Sequence, residues 1–188
     1  LVHWPGSFFD SEERSEKLCE LMFRLKITGK AKTIGLSNFK LVDLELLGER
    51  LPRFIVNQVP YSLLDRRYEG AALGMCKKAE VSYMAYSPIA QGLLGGRFDK
   101  EALGFPVRQN NPLFQSRLFP EAKKIYDLVV DISQEIDRKP VEVALAWVIA
   151  QTNLITAIVG SRKPEQILEF AGAGDLELTS EQMSRLNV

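Results

Sequence analysis

One histidine and two cysteines stand among 188 residues, and that scarcity removes whole classes of chemistry. A structural zinc site needs about four clustered Cys or His ligands, whereas Cys19 and Cys76 lie far apart with no CxxC and no Cys/His cluster. Both are expected as buried, reduced thiols, with neither a disulfide nor a metal site. Net charge is lacking too: 24 Lys and Arg face 24 Asp and Glu, with no basic run. Neither nucleic acid nor an anionic membrane is therefore an expected partner, and any anion must be held by a local cluster. No apolar run reaches the roughly 18 residues of a membrane-spanning helix, and no signal-peptide pattern is present, so a reducing cytoplasm is the expected setting. GxGxxG is also missing, which argues against a Rossmann sheet.

What is present is one unit repeated. Short apolar runs at 1–4, 32–38, 54–62, 81–87 and 154–160 read as strands, and amphipathic segments separate them. Helices are expected over 11–29, 39–51, 66–79, 121–136, 140–151, 163–173 and 178–186. In the first of these Leu18, Leu21, Met22 and Leu25 recur at i, i+3, i+4 and i+7, and Gly29 suits the stop. Pro140 and Pro164 read as first-turn prolines, and Thr179 with Gln182 as a capping box. About thirty residues rich in Gly, Pro, Asn and Arg interrupt the rhythm before the helix near Pro120.

Strands apolar on both faces and alternating with helices mean parallel pairing with right-handed crossovers, hence an α/β fold. Each strand ends in a polar or aromatic cluster: His3-Trp4, Ser37-Asn38, Asn57-Gln58, Tyr86-Ser87 and Gly160-Ser161-Arg162. In a (β/α)8 TIM barrel those ends converge on the rim that carries the chemistry. Only five of eight strands are found, and a complete barrel takes about 250 residues. The expectation is a single partial barrel domain, 1–188, holding strands four to eight.

The segments HWP, IGLSNF, NQVPYSLLDRR, AYSPIAQGLLGGR, ALAWVIAQ and GSRKPEQ-x-x-E, in this order, resemble the aldo-keto reductase superfamily. The similarity covers nearly the whole chain and is greatest to the branch containing potassium-channel β subunits and many microbial reductases. It implies NADPH bound across the C-terminal rim and hydride transfer to an aldehyde or ketone without metal or flavin. Of the family's Asp, Tyr, Lys and His tetrad it implies only the histidine here, His3. LVHWPG then reads as the fourth barrel strand of a chain that is a fragment or partly recorded.

The chemistry matches these residues. Carbonyl reduction builds negative charge on oxygen, and an imidazole N–H placed on that oxygen stabilises the transition state. Ser37, Asn38 and Gln58 offer donors and acceptors to a nicotinamide carboxamide, and Tyr86 offers a flat face to its ring. In the loop Ser87, Pro88, Ile89, Ala90, Gln91 and Gly92, small residues allow backbone to approach a pyrophosphate, with Arg97 closing over it. The long segment that follows fits a lid. Gly160, Ser161 and Arg162, beside a helix start near Pro164, suit the 2′-phosphate of NADP. Gln166 and Glu169 share a face toward ribose phosphate and adenine. The family commonly has Asn after that Glu; here Phe170 offers stacking.

Two functions remain open on the sequence: an NADP-dependent reductase, or a non-catalytic NADP-binding regulatory subunit or truncated inactive homologue. Should the fold begin at Leu1, two sheet edges would open, exposing Ile34, Val56 and Met84 and inviting self-association.

Overall fold

A computed structural model describes residues 1–98, 106–109, 111–114 and 118–187. The segment expected to form a lid lies partly outside these residues. The chain divides into two compact units: Leu1–Pro60, Arg67–Ala85 and Asn153–Thr156 in the first, Tyr61–Arg66, Tyr86–Thr152 and Ala157–Val188 in the second.

The sheet is α/β in the expected sense. Its strands β1 (Leu36–Ser37), β2 (Val56–Pro60), β3 (Ser82–Tyr86) and β4 (Leu154–Ile158) follow one another in sequence order. β1 and β2 are parallel, with Leu36 opposite Asn57 and Ser37 opposite Gln58. The first expected strand, 1–4, is reduced to one parallel bridge between Val2 and Leu36, where Val2 N donates to Gly35 O at 2.9 Å. Pro5 brings no N–H to continue a ladder, and Gly6, at φ +52°, turns the chain away. Gly35 is required at this crossing: a Cβ there would lie 2.6 Å from both Leu1 Cδ2 and Val56 Cγ1.

Burial separates the strands. Ile34 and Val56, expected as interior side chains left exposed by an open barrel, are buried, and Met84 is half-buried with its sulfur accepting from Gln58 Nε2 at 3.1 Å. β4 breaks the expectation of strands covered on both faces, since Ile155 and Ile158 are 57% and 41% exposed.

In the first unit α1 (Glu12–Ile27) is capped by Ser11, which accepts from Arg14 N. It buries Ser15, Cys19 and Phe23, whereas Leu21 of the expected leucine face is 54% exposed. Small Ser15 and Cys19 let the helix approach closely, and Phe23 meets Phe54 at 5.6 Å with the Arg53 guanidinium over its ring. α2 (Leu41–Leu47) and α3 (Ala71–Lys78) complete this unit's helices, and the buried thiols of Cys19 and Cys76 are free, as expected.

The second unit is built on α5 (Phe119–Glu135) and α6 (Pro140–Ile149), preceded by the single turn α4 (Pro106–Gln109) and followed by α7 (Pro164–Phe170) and α8 (Ser180–Leu186). Every residue of α6 from Glu142 to Val148 is buried, so its hydrophobic all-round sequence becomes a core helix. Trp147 stacks on Tyr61 at 5.7 Å and donates from Nε1 to Asn187 Oδ1 at 3.0 Å. The expected capping box forms, with Gln182 N donating to Thr179 Oγ1 and Thr179 N to Gln182 Oε1. A two-pronged ion pair from Arg185 to Glu135, at 2.7 and 2.8 Å, ties α8 to α5.

Candidate functional site

The loop after β3 is held in an unusual backbone conformation. Ser87, Ala90 and Gln91 have φ of 52°, 47° and 56°, and Gly92 follows at 101°. Left-handed backbone at non-glycine residues costs on the order of 1 kcal/mol each and persists only where surroundings enforce it. Here the enforcement is visible: Arg97 N donates to Gly92 O at 3.1 Å, and Arg108, 7% exposed, donates from Nη2 to Gln91 O at 2.6 Å. A Cβ on Gly92 would lie 2.9 Å from Arg97 Cδ and 3.2 Å from Arg108 Nη2, so the bare backbone sits between two arginine side chains. Gln91 Oε1 is buried and accepts from no donor among the described residues.

This loop forms one wall of a cavity of about 720 Å³ that lies within the second unit. Tyr86, Ser87, Pro88, Ile89, Gln91, Gly92 and Arg97 line it from the loop, and Gly160, Ser161, Arg162, Gln166 and Glu169 from β4's end and α7. Ala90 is the exception: it is 3% exposed, does not line the cavity, and packs inward because its left-handed φ turns the chain there. Arg108, Tyr126, Lys139 and Phe170 complete a wall with four cationic side chains against one carboxylate. In a chain without net charge that local excess favours an anion.

Two backbone N–H groups just ahead of the helix start at Pro164 are already engaged. Gln166 Oε1 accepts from Arg162 N at 2.8 Å and from Lys163 N at 3.3 Å. The Gln166 amide nitrogen remains as the donor that this side chain can offer, while Glu169 offers only acceptors.

The other expected residues lie in the first unit. Ser37 Oγ donates to Gln58 O at 2.9 Å, and Asn38 Nδ2 donates to His3 O at 3.0 Å and to Ser37 Oγ at 3.1 Å. Ser37 and Asn38 are buried, so their hydrogen bonds fasten the end of β1 to β2 and to the backbone at His3. Gln58 is half-buried, and the His3 ring is exposed, 5.9 Å from Trp4. Asn57, expected on the rim, is a buried brace whose amide accepts from Phe39 N at 3.3 Å and donates to Phe39 O at 2.9 Å.

Arg108 was not readable in the sequence, because its partner is a carbonyl seventeen residues away in a loop of irregular conformation. Lys139 was masked by its position before Pro140, where it reads as a helix start. Among the described residues no helix is long and apolar enough to cross a membrane, and no group of His, Cys, Asp or Glu can hold a metal.

Comparison with known proteins places this geometry. The chain is similar to the aldo-keto reductase YhdN of Bacillus subtilis, 27% identical over 189 residues covering 99% of this chain and 56% of that protein. It is 30% identical to the NADH-specific methylglyoxal reductase of Escherichia coli, over 95% of this chain and 54% of the other. Among solved structures, a glycerol dehydrogenase from Gluconobacter oxydans matches with a TM-score of 0.81 and 27% identity, over 99% of this chain and 56% of that one. The chain thus spans about half the length of the relatives it matches, and its parallel α/β sheet fits their (β/α)8 fold. The profile described as Aldo/keto reductase family matches residues 1–188, and the chain belongs to that family.

Proposed function

We propose that the chain is part of an NADP-dependent aldo-keto reductase that reduces small aldehydes or ketones, and that it supplies strands four to eight of a (β/α)8 barrel as one partial domain, 1–188. The observation that carries this reading is the cationic cavity beneath the strained 87–97 loop. Its residues fit a dinucleotide. The orphaned Gln91 Oε1 can accept from a ribose hydroxyl or a carboxamide, and the bare Gly92 backbone lets the Arg97 and Arg108 side chains pack against the loop, bringing two cations to this wall of the cavity. Arg97, Arg108, Arg162 and the Gln166 amide nitrogen are the donors for phosphate oxygens.

When bound, a nicotinamide cofactor supplies the hydride. The chain's own part is binding and charge stabilisation. Arg162 would hold the 2′-phosphate, Gln58 would present its amide to the carboxamide, and Ser37 and Asn38 would fix Gln58 and the His3 backbone. His3 would donate from its imidazole to the carbonyl oxygen as charge builds there. The small-carbonyl substrate is consistent with the name of the methylglyoxal reductase relative.

Titration of the chain with NADPH and with NADH, followed by cofactor fluorescence, tests the reading. Saturable binding with NADPH preferred is expected. No binding of either cofactor would overturn it.

A further inference from the structure

The end of β1 is held from behind by two buried tyrosines. Tyr68 donates from its hydroxyl to Asn38 O at 3.2 Å, and Tyr83 donates from its hydroxyl to Tyr68 O at 3.0 Å. Asn38 is itself buried and has φ at 63°. Its N–H stays with the sheet, donating to Gln58 O at 2.9 Å, while its side-chain amide donates to His3 O and to Ser37 Oγ. All of these residues belong to the first unit.

Each link has a physical reason. Left-handed backbone is uncommon outside glycine, and asparagine adopts it more readily than most residues. The turn carries the chain off the sheet, and the neighbouring strand β2 ends there in Pro60, which brings no N–H. A buried carbonyl at that point needs a donor from elsewhere, because leaving it unpaired costs about as much as losing a hydrogen bond. The Tyr68 hydroxyl supplies that donor, and Tyr83 fastens the Tyr68 backbone in turn. We propose that Tyr68 is a positioning residue: by holding the Asn38 carbonyl it fixes the turn from which the Asn38 amide fastens the His3 backbone. It thereby sets where the His3 imidazole stands and how Ser37 and Asn38 meet the nicotinamide end of a cofactor. Its bearing on the cofactor rests on the function proposed above, whereas its bearing on His3 does not.

His3 is the chain's one histidine, so its ring protons give a single set of NMR signals, and the Trp4 ring 5.9 Å away makes them sensitive to small displacements. Tyr68→Phe removes the hydroxyl but keeps the ring and the carbonyl that Tyr83 bonds. In this variant of the 188-residue chain the His3 signals should shift. Reduced nicotinamide mononucleotide should bind about fivefold more weakly, the equivalent of one hydrogen bond. Adenosine 2′,5′-bisphosphate, whose assigned partner Arg162 lies in the second unit, should bind within about twofold of wild type. A general loss of stability would lower the melting temperature without separating the two probes. Should Tyr68→Phe fail to fold, Tyr83→Phe, which releases the Tyr68 carbonyl, should move the same His3 signals. Unmoved His3 signals in the variant that folds, or equal losses for the two probes, would overturn the proposal while leaving the cofactor reading intact. A wild-type chain that binds neither probe nor NADPH would overturn the cofactor reading, and the His3 signals would still decide whether Tyr68 positions His3.

Discussion

Arg108 donates through Nη2 to the backbone carbonyl oxygen of Gln91 at 2.6 Å, and so a cation from one part of the second unit clamps a left-handed residue of the loop after β3. The clamp explains how left-handed backbone at Ser87, Ala90 and Gln91 persists. Without it the loop should relax toward ordinary φ values. Arg108→Met is therefore expected to weaken NADPH binding about tenfold, given that a hydrogen bond to a charged group contributes roughly 1.5–3 kcal/mol. Hydrogen exchange at residues 87–97 should quicken in the same variant. Unchanged exchange there would show that the loop holds its shape without the arginine.

Cofactor choice depends on a different cation. Arg162 lines the cavity at the start of α7 and is the side chain assigned to the 2′-phosphate. Arg162→Ala should cost roughly 1.5–3 kcal/mol of NADPH binding, about tenfold or more in affinity. NADH, which lacks that phosphate, should be nearly unaffected. The two dissociation constants, measured side by side, decide the point: equal losses would assign the phosphate to another group.

These two arginines also mark where the sequence is legible and where it is not. The Thr179–Gln182 box and the prolines at 140 and 164 are readable because a cap depends on residues three or four positions apart. The loop and α7 residues of the cavity follow from motifs of short range, and all of them but Ala90 line it. The buried face of α1 was not readable, since Ser15, Cys19 and Phe23 are chosen by what packs on them while the leucines beside them are better hydrophobes. β4 (LITAI) is more apolar in sequence than β2 (VNQVP), yet Ile155 and Ile158 are open while Val56 and Val59 are buried, a difference set by neighbours that a strand's own residues do not reveal. Asn57 looked like a rim residue because it ends a strand; its pair of bonds to Phe39 makes it a brace.

That brace has a testable energy. Asn57 is fully buried and satisfies both backbone groups of Phe39 with one amide. Asn57→Ala leaves a buried N–H and C=O without partners, each costing about 1–3 kcal/mol. Asn57→Asp keeps the acceptor for Phe39 N but cannot donate to Phe39 O unless protonated. Chemical denaturation at neutral pH should find both variants markedly less stable than wild type, and Asn57→Asp should recover part of its loss on mild acidification. Two variants as stable as the parent would remove the brace from the account.

Cys76 gives a prediction in pH. Burial pushes its thiol up to about 11, against smaller opposing effects from hydrogen bonding to Tyr83 and Asn57. A thiol whose folded value is raised contributes stability that is fully present below its ordinary value near 9 and is lost as pH rises through the folded value. Between those limits the unfolded chain gives up the proton more readily, so stability falls. Melting temperatures of the wild type should decline from pH 9 to 11 more steeply than those of Cys76→Ala, in which that titration is gone. Parallel curves for the two proteins would show that Cys76 does not contribute to the alkaline loss.

The last prediction concerns β4. Among the described residues its one neighbouring strand in the sheet is β3, and its five residues, LITAI, contain no charge, proline or glycine to discourage pairing. Ile155 and Ile158 are exposed along it, and the chain has no net charge to keep copies apart. Backbone N–H and C=O groups on that edge can be satisfied by a second copy presenting the same strand, which would also bury the isoleucines. Light scattering on the 188-residue chain should therefore show an apparent mass that rises with concentration, with little dependence on added salt. Ile155→Lys places a charge on the exposed strand, where association would have to bury it, and should return the chain toward monomer without lowering its melting temperature. A wild-type chain that stays monomeric across the concentration series would mean that the β4 edge is protected by something other than its own sequence, and the pairing argument would fall.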